Sequence, residues 1–298
     1  MDNPIISIVV ELLNAVGGYH LGQIGQGAMT PISEASPVAY EAMRQIADTV
    51  VRPVASVILS LMLVVELARN ASKFEGDGQI GVRIIAGTMF KFVLLIVAVQ
   101  YAPQILQAIS GVTETISQGV AASASTPETT ASGKLGDQIK PHLNMLNAIP
   151  VLIILALPFI ISWLAVIVAQ AVVIFRFIEI YALTAFATLP IAFAAHPETK
   201  SIAVGYLRAY GSVSLQGATL ILGIYLYQLM IQYGGFAVFP DPQEIGPLGM
   251  TVTGWALKAV LPVSLAAILM IFVVIGSSKL AKSCLLYTSD AADDSLRV

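Results

Sequence analysis

The sequence predicts an all-α, polytopic helical membrane protein with about five transmembrane helices. Of its 298 residues, 57% are hydrophobic and only 11% are charged, whereas about 25% are charged in an ordinary soluble domain. The mean hydropathy is +0.83, and several apolar stretches are long enough to cross a bilayer with almost no charge. These values exclude a soluble globular enzyme. The formal charge of -3 also gives no strongly basic surface for nucleic acid.

The N-terminal region, residues 1–49, is predicted to hold one short helix and a linker. Apolar residues from Ile5 to Val16 lie on one broad face, a pattern typical of a helix in the membrane interface. Gly17 and Gly18 should end that helix, and the glycines and prolines of residues 19–37 predict irregular structure. No basic leader precedes the apolar run, so we expect this segment to be retained.

A transmembrane hairpin is predicted within residues 50–110. Its spans run from about Val50 to Ala68 and from about Ile84 to Ala102, and a polar turn containing glycines separates them. The next segment, residues 111–146, begins with a stretch rich in Ser, Thr, Ala and Gly. That composition favours a flexible external loop, because it buries little apolar surface.

The C-terminal transmembrane bundle, residues 147–283, contributes three clear spans. The stretch Ile180–Ala195 is also apolar, but charged residues precede it and Pro190 interrupts it, so it is either a sixth crossing or a broken, re-entrant element. The three clear spans are Pro150–Phe175, Gly211–Ile231 and Trp255–Gly276.

The distribution of basic residues favours five crossings, in the cytoplasmic membrane, with the N-terminus outside and the C-terminus inside. Short cytoplasmic loops accumulate Lys and Arg. Five crossings place eight basic residues of the first 283 on the cytoplasmic side: Arg69, Lys73, Arg83, Arg176, Lys200, Arg208, Lys279 and Lys282. Six crossings with the same N-terminus would reverse the distribution.

The last fifteen residues, 284–298, differ abruptly in composition from the apolar segment before them. Their first ten, CLLYTSDAAD, resemble a translated sequencing-adapter sequence. We expect this tail to be foreign to the protein and to make no packed contact with the helices. The only cysteine, Cys284, lies in it.

No motif for catalysis, cofactor binding or metal binding is present. The sequence has no phosphate-binding loop, no HExxH and no GxSxG. Its histidines, His20, His142 and His196, are far apart and lie in predicted loops or boundaries, which is typical of solvated surface histidines. We expect a protein that is not an enzyme and has no cofactor.

Five charged residues in or near the spans are the candidate functional residues, because a charge in hydrocarbon costs at least about 2.5 kcal/mol. A hairpin folded at residues 74–75 places Glu66 level with Arg83 and predicts an ion pair. Lys91 lies seven residues inside the second span, so it either faces a polar interior or a neighbouring subunit, or extends its side chain to the interface. Arg176 and Glu179 are spaced for a local i,i+3 pair.

Small residues recur in the fourth predicted span. Ser214 and Ala218 are spaced for close helix approach, either inside one subunit or at an oligomer face.

The hairpin and its flanks, Asp48–Ala98, resemble the TrbL-like family of polytopic channel subunits of type IV secretion machines, as found in conjugative elements of Gram-positive bacteria. The likeness includes the opening MDNPIISIVVELLN, the ELARN turn at residues 66–70 and the Lys91–Phe92 pair. It implies a membrane subunit that works beside other secretion subunits and the transfer ATPases, in a homo-oligomer or larger complex, and that contacts DNA in transit. The resemblance assigns no catalytic residue.

Three functions are compatible with these observations. A subunit of a conjugative secretion channel is favoured by the resemblance. A secondary transporter of a small solute would need broken helices and paired charges near mid-membrane, for which Lys91 and Pro190 are the candidates. A membrane-embedded enzyme would need a nucleophile and a base, and no such pair is visible.

Overall fold

The computed structural model describes residues 4–14, 25, 27–71, 78–123, 135–233, 241–246 and 249–286. Within these ranges the chain is helical, and its one β-type contact is an isolated bridge between Ile245 and Met250. The helices are α1 (Pro4–Asn14), α2 (Ile32–Ala35), α3 (Pro37–Ala71), α4 (Gly78–Gln100), α5 (Ala102–Ser123), α6 (Leu135–Ile139), α7 (Met145–Ala185), α8 (Thr188–Ala192), α9 (Lys200–Tyr233) and α10 (Val252–Leu286).

Five of these helices are long and apolar enough to cross a membrane: α3, α4, α7, α9 and α10. The predicted all-α membrane fold with about five spans is therefore confirmed for the part of the chain that the structure describes. The uninterrupted apolar runs cause this result, because in a bilayer a helix satisfies all its own backbone hydrogen bonds.

The sequence predicts that the helical pattern resumes at Val38 and that the first crossing begins at about Val50; in the structure one helix, α3, covers both and begins at Pro37. The Ser36 side chain caps it by accepting a hydrogen bond from the Ala39 amide, and Pro37 occupies a first-turn position that needs no amide donor. The short helix α2 also falls inside the predicted irregular linker. The Gly17–Gly18 end of the first helix lies outside the described residues.

One turn of α3, Ala47–Val51, is a π-helix. The Arg52 amide donates to the Ala47 carbonyl, five residues back, and Pro53 has no amide to donate to Thr49. The missing donor explains why the wider turn forms here. Asp48 and Arg52 form an ion pair across it.

The prediction of a flexible loop over residues 111–146 was wrong for both of its described parts, because α5 continues to Ser123, and α6 and a 3-10 turn, Lys140–His142, follow from Leu135. The Ser- and Thr-rich composition suggested a loop, but the buried residues of this segment are spaced as on one face of a helix. They include Leu106, Thr113 and Ser117. Residues 124–134 lie outside the described residues.

The segment Ile180–Ala195 is a broken helical element, which is one of the two alternatives that the sequence left open. Helix α7 continues through Arg176 and ends at Ala185, and the chain then turns into α8 and a 3-10 turn, Phe193–Ala195. Pro190 is accommodated because it lies in the first turn of α8, where its missing amide costs no helical bond.

The chain divides into two compact units. The unit formed by residues 1–29, 117–175 and 217–280 has a core that includes Val9, Leu13, Ile139 and Trp255. Helix α1 is thus confirmed as a helix, and it packs on α6. The approach is so close that a Cβ on Gly136 would lie 2.2 Å from the Val10 carbonyl oxygen. Its predicted position in the membrane interface stays a prediction.

The other unit is formed by residues 30–116, 176–216 and 281–298. Its core includes Leu59 of α3, Phe92 of α4 and Ile191 of α8. Tyr181 links α7 to the chain around α2, because its hydroxyl donates to the Ile32 carbonyl (2.8 Å) and accepts from the Ser36 amide (3.1 Å).

The expected absence of packing after Ser283 is contradicted at one residue. Helix α10 continues to Leu286, and a methyl of Leu285 lies 3.2 Å from the position that a Cβ on Gly211 would occupy. The remaining tail, residues 287–298, lies outside the described residues.

Candidate functional site

The candidate site is the surface where the broken segment, α8 with its 3-10 turn, packs on the α3–α4 hairpin. Its buried residues are small or short: Thr188, Ala192 and Ala195 are almost fully inaccessible to solvent. Small side chains let helix backbones approach closely. The C-terminal end of the segment is thereby placed against charged side chains of α3 and α4.

Lys91 of α4 binds the C-terminal end of the broken segment. Its ammonium group donates to the backbone carbonyl of Ala195, at 2.5 Å. Carbonyls at the end of a helical turn have no partner within the helix and carry partial negative charge, so a cation is favourable there. Lys91 is half-buried and contacts backbone of its own chain, and its predicted position toward a polar interior, a neighbouring subunit or the interface stays a prediction.

A charge cluster continues from this contact to His196, the next residue. The His196 Nε2 atom lies 3.7 Å from a carboxylate oxygen of Glu66 and 3.2 Å from a guanidinium nitrogen of Arg69. Arg69 also lies 3.8 Å from the carboxylate of Glu198. We call Glu66, Arg69, Lys91, His196 and Glu198 the hairpin cluster.

Burial is unequal within the hairpin cluster. The side chains of Glu66 and His196 are only 14% and 11% exposed, whereas those of Arg69 and Glu198 are 46% and 77% exposed. The Glu66–His196 contact is therefore screened little by solvent, and the Arg69–Glu198 contact is screened strongly.

A neutral hydrogen bond holds the two hairpin helices together beside the cluster. The Asn70 amide donates to the Thr88 hydroxyl (2.9 Å), which in turn donates to the Ile84 carbonyl (2.9 Å). These bonds fix the register of α3 against α4. Glu66 and Lys91 are consequently presented to the same short segment.

The structure brings together only two of the predicted site residues. Glu66 and Lys91 contact consecutive positions of the chain, 196 and 195. The predicted pair of Glu66 with Arg83 was wrong, because the Glu66 carboxylate is directed to His196 and Arg83 is exposed. The error arose because hairpin register alone cannot show that a third segment lies against Glu66.

The predicted i,i+3 pair of Arg176 and Glu179 was also wrong. Arg176 is buried, donates to the Ser214 carbonyl at 3.4 Å and lies over the Phe177 ring. Glu179 is exposed, and within the described ranges it forms no ion pair with Arg176. The two residues are neighbours on α7, but the Arg176 guanidinium is directed to the Ser214 carbonyl and the Glu179 side chain is exposed.

Sequence reasoning missed His196, Arg69 and Glu198 as members of a site. His196 and Glu198 follow a broken apolar segment, HPE at its end, and that position is the signal that could have identified them. Metal binding gains no support, because no group of three or more potential ligands occurs among the described residues.

The sequence profile of the TrbL/VirB6 plasmid conjugal transfer-like protein family matches residues 19–188, more than half of the chain. The chain belongs to the TrbL/VirB6 plasmid conjugal transfer-like family. Neither the curated proteins nor the solved structures contain a significant match.

Family membership makes the chain a multi-pass membrane component of a conjugal transfer (type IV secretion) system. The family is a structural component of such systems and not a known enzyme. The matched range ends at Thr188, the first residue of α8. Glu66, Arg69 and Lys91 thus lie inside the matched range, and their partners Ala195, His196 and Glu198 lie beyond it.

Proposed function

We propose that this protein is an integral subunit of a conjugative type IV secretion channel that supports transfer of DNA or protein across the cytoplasmic membrane. The observation that carries the proposal is the family match over residues 19–188, which include three of the five spanning helices, α3, α4 and α7. The role is structural: the helices form part of the passage or its support, and the ATPases of the system supply the energy.

The N-terminus is outside and the C-terminus is cytoplasmic in this proposal. The basic turn between α3 and α4 supports that orientation, because short basic loops are retained in the cytoplasm. The hairpin cluster then reaches from the cytoplasmic end of the hairpin, at Glu66 and Arg69, to Lys91 near the middle of α4, and the broken segment is held by Lys91 and Glu66.

Partners are the other membrane subunits of the secretion system and its transfer ATPases. The protein also contacts the transferred DNA and the lipid bilayer. The small-residue pattern in α9 does not supply an oligomer face in our proposal, because Ser214 and Ala218 are 1% and 4% exposed within a single chain. Contacts with further copies would use other surfaces.

Orientation is tested by labelling cysteines in whole cells with a membrane-impermeant thiol reagent, in a chain whose own cysteine is removed by Cys284→Ser. Ser125→Cys and Gly235→Cys should label, and Ser201→Cys should label only after the membrane is permeabilised. Labelling of residue 201 in intact cells would overturn the cytoplasmic placement of the hairpin cluster.

Function is tested by deleting the gene from its conjugative element and measuring transfer frequency after complementation. The intact chain should restore transfer. Arg69→Gln should restore it poorly at normal membrane abundance, since it removes charged contacts to both His196 and Glu198. Arg83→Gln, an exposed arginine near the same turn, is the matched control and should restore transfer fully.

Transfer that persists after deletion would refute the channel role and would favour transport of a small solute. Equal transfer with the two arginine variants would instead separate the hairpin cluster from the transfer function.

A further inference from the structure

Three neighbouring groups contact the two ring nitrogens of His196. The Glu198 amide donates to Nδ1 at 3.3 Å. At Nε2, the Arg69 guanidinium lies 3.2 Å away, and the Glu66 carboxylate lies 3.7 Å away. An arginine side chain can only donate a hydrogen bond, and an ionised carboxylate can only accept one.

No neutral form of the imidazole satisfies all three neighbours. If the proton is on Nε2, the ring can donate to Glu66 and accept from the Glu198 amide, but it opposes the Arg69 donor. If the proton is on Nδ1, the ring accepts from Arg69, opposes the Glu198 amide and offers Glu66 nothing.

Glu66 has the most to gain from a donor. Its Oε2 atom is buried and has no hydrogen-bond partner among the described residues. A buried acceptor without a donor costs free energy, more so when it is charged. Arg69 has an alternative anion, because the Glu198 carboxylate lies 3.8 Å from the same guanidinium nitrogen that faces His196.

We propose that the hairpin cluster is a proton-operated latch for the broken segment. Uptake of a proton by His196 makes both ring nitrogens donors and gives the ring a positive charge beside the Glu66 carboxylate, so that Nε2 can no longer accept from Arg69 and Arg69 is directed to Glu198. Two ion pairs, Glu66 with His196 and Arg69 with Glu198, then replace the arrangement in which Glu66 and Arg69 both face Nε2 of a neutral ring. The four groups Glu66, Arg69, His196 and Glu198 carry a net charge of -1 when the imidazole is neutral and of 0 when it is protonated.

The neighbouring cation and the local turn do not cancel this gain. Lys91 lies against the Ala195 carbonyl and satisfies its charge there. The Glu198 amide loses its Nδ1 acceptor, but the turn keeps the Thr199 hydroxyl bond to the Phe193 carbonyl (2.6 Å) and the Lys200 amide bond to the His196 carbonyl (3.0 Å). Protonation therefore tightens α8 and its 3-10 turn on the hairpin, and deprotonation loosens them.

The latch goes beyond the proposed channel role and can be tested without any transfer assay. The full chain with Cys284→Ser is placed in lipid nanodiscs and spin-labelled at Ala68→Cys of α3 and Ser201→Cys of α9, both at exposed positions. Pulsed electron spin resonance then gives the distribution of distances between the labels at about pH 5.5 and about pH 8, the interval in which histidine changes charge.

We expect a narrow distribution at the lower pH and a broader or longer one at the higher pH. His196→Gln should make the distributions at the two pH values equal. His142→Gln, an exposed histidine of a 3-10 turn, is the matched control and should keep the pH response. Glu66→Gln removes the anion that the protonated ring requires and should abolish the narrow state, which provides an independent result if His196→Gln does not fold.

A second measurement observes the proton itself. The chain contains three histidines, so selective ¹⁵N-histidine labelling gives three pairs of ring signals, and His196→Gln identifies one pair. The change in width of the distance distribution should follow the protonation of that pair. Distributions that do not change with pH, or a pH response that persists in His196→Gln, would overturn the latch.

Discussion

Replacing Lys91 by methionine tests whether this side chain holds the end of the broken segment. Methionine keeps the length and apolar body of the side chain and removes the ammonium group, so the Ala195 carbonyl loses its donor. Two terms of opposite sign follow from this change, one for the whole chain in the membrane and one for the local segment.

The two terms have similar magnitudes but act on different processes. Removing a lysine charge from the centre of a span favours insertion by up to about 3 kcal/mol. Leaving a buried carbonyl without its partner costs about 1–3 kcal/mol. Membrane abundance should therefore be unchanged or raised, whereas local opening of residues 186–199 should become easier by about 1–3 kcal/mol.

Hydrogen–deuterium exchange followed by mass spectrometry measures the local term. Since about 1.4 kcal/mol corresponds to a factor of ten, the amides of residues 186–199 should exchange roughly 5- to 150-fold faster in Lys91→Met, at constant pH. Lys258→Met removes an exposed lysine of α10 and is the matched control. Equal exchange of this segment in the two variants would refute the binding of Ala195 by Lys91.

Two further predictions concern the unit that contains α1. Thr219→Val removes a hydroxyl that donates to a backbone carbonyl of α10 at 3.0 Å, and it should lower the free energy of unfolding in detergent by about 0.6–1.7 kcal/mol. Its control is Ser264→Ala, which removes a buried hydroxyl oxygen without a partner among the described residues and should leave the midpoint of thermal unfolding unchanged or raise it. Gly136→Ala should detach α1 and increase its proteolysis, because the added Cβ would lie 2.2 Å from the Val10 carbonyl oxygen, whereas Gly119→Ala meets open space and should be tolerated; equal proteolysis in the two alanine variants would contradict that packing.

The spans could be predicted from the sequence because their cause is local. An apolar run of about 20 residues is sufficient to specify a transmembrane helix, and the runs in α3, α4, α7, α9 and α10 need no information about their neighbours. The break after Ala185 was visible for a similar reason, since Pro190 interrupts the apolar pattern. Helix α5 was missed because its Ser and Thr residues suggest disorder by composition, although its buried positions follow a helical period.

The hairpin cluster could not be predicted in full, because its contacts join residues far apart in the sequence. Glu66 and Lys91 were identified from the cost of a charge in a span, which is a property of each residue alone. Their partners depend on how residues 186–199 fold back, and the 129 residues between Glu66 and His196 give no pattern that fixes that return. A charge in a span thus indicates that a partner exists, but only tertiary structure identifies it.

Lys91 and His196 act on adjacent points of the chain, so their substitutions should not be independent. Lys91 binds the carbonyl of Ala195, and Glu66 and Arg69 contact the side chain of the next residue. Once either contact is lost, the segment leaves the hairpin more easily, and losing the second contact should then cost less than it does in the intact protein.

A double-mutant cycle of Lys91→Met and His196→Gln measures this dependence through the exchange of residues 186–199. Coupled residues deviate from additivity by about 0.5–3 kcal/mol, whereas independent ones add within about 0.5 kcal/mol. We expect the double variant to exchange more slowly than the product of the two single effects requires. Strict additivity would show that the two contacts hold separate parts of the segment, and the hairpin cluster would then be two sites instead of one.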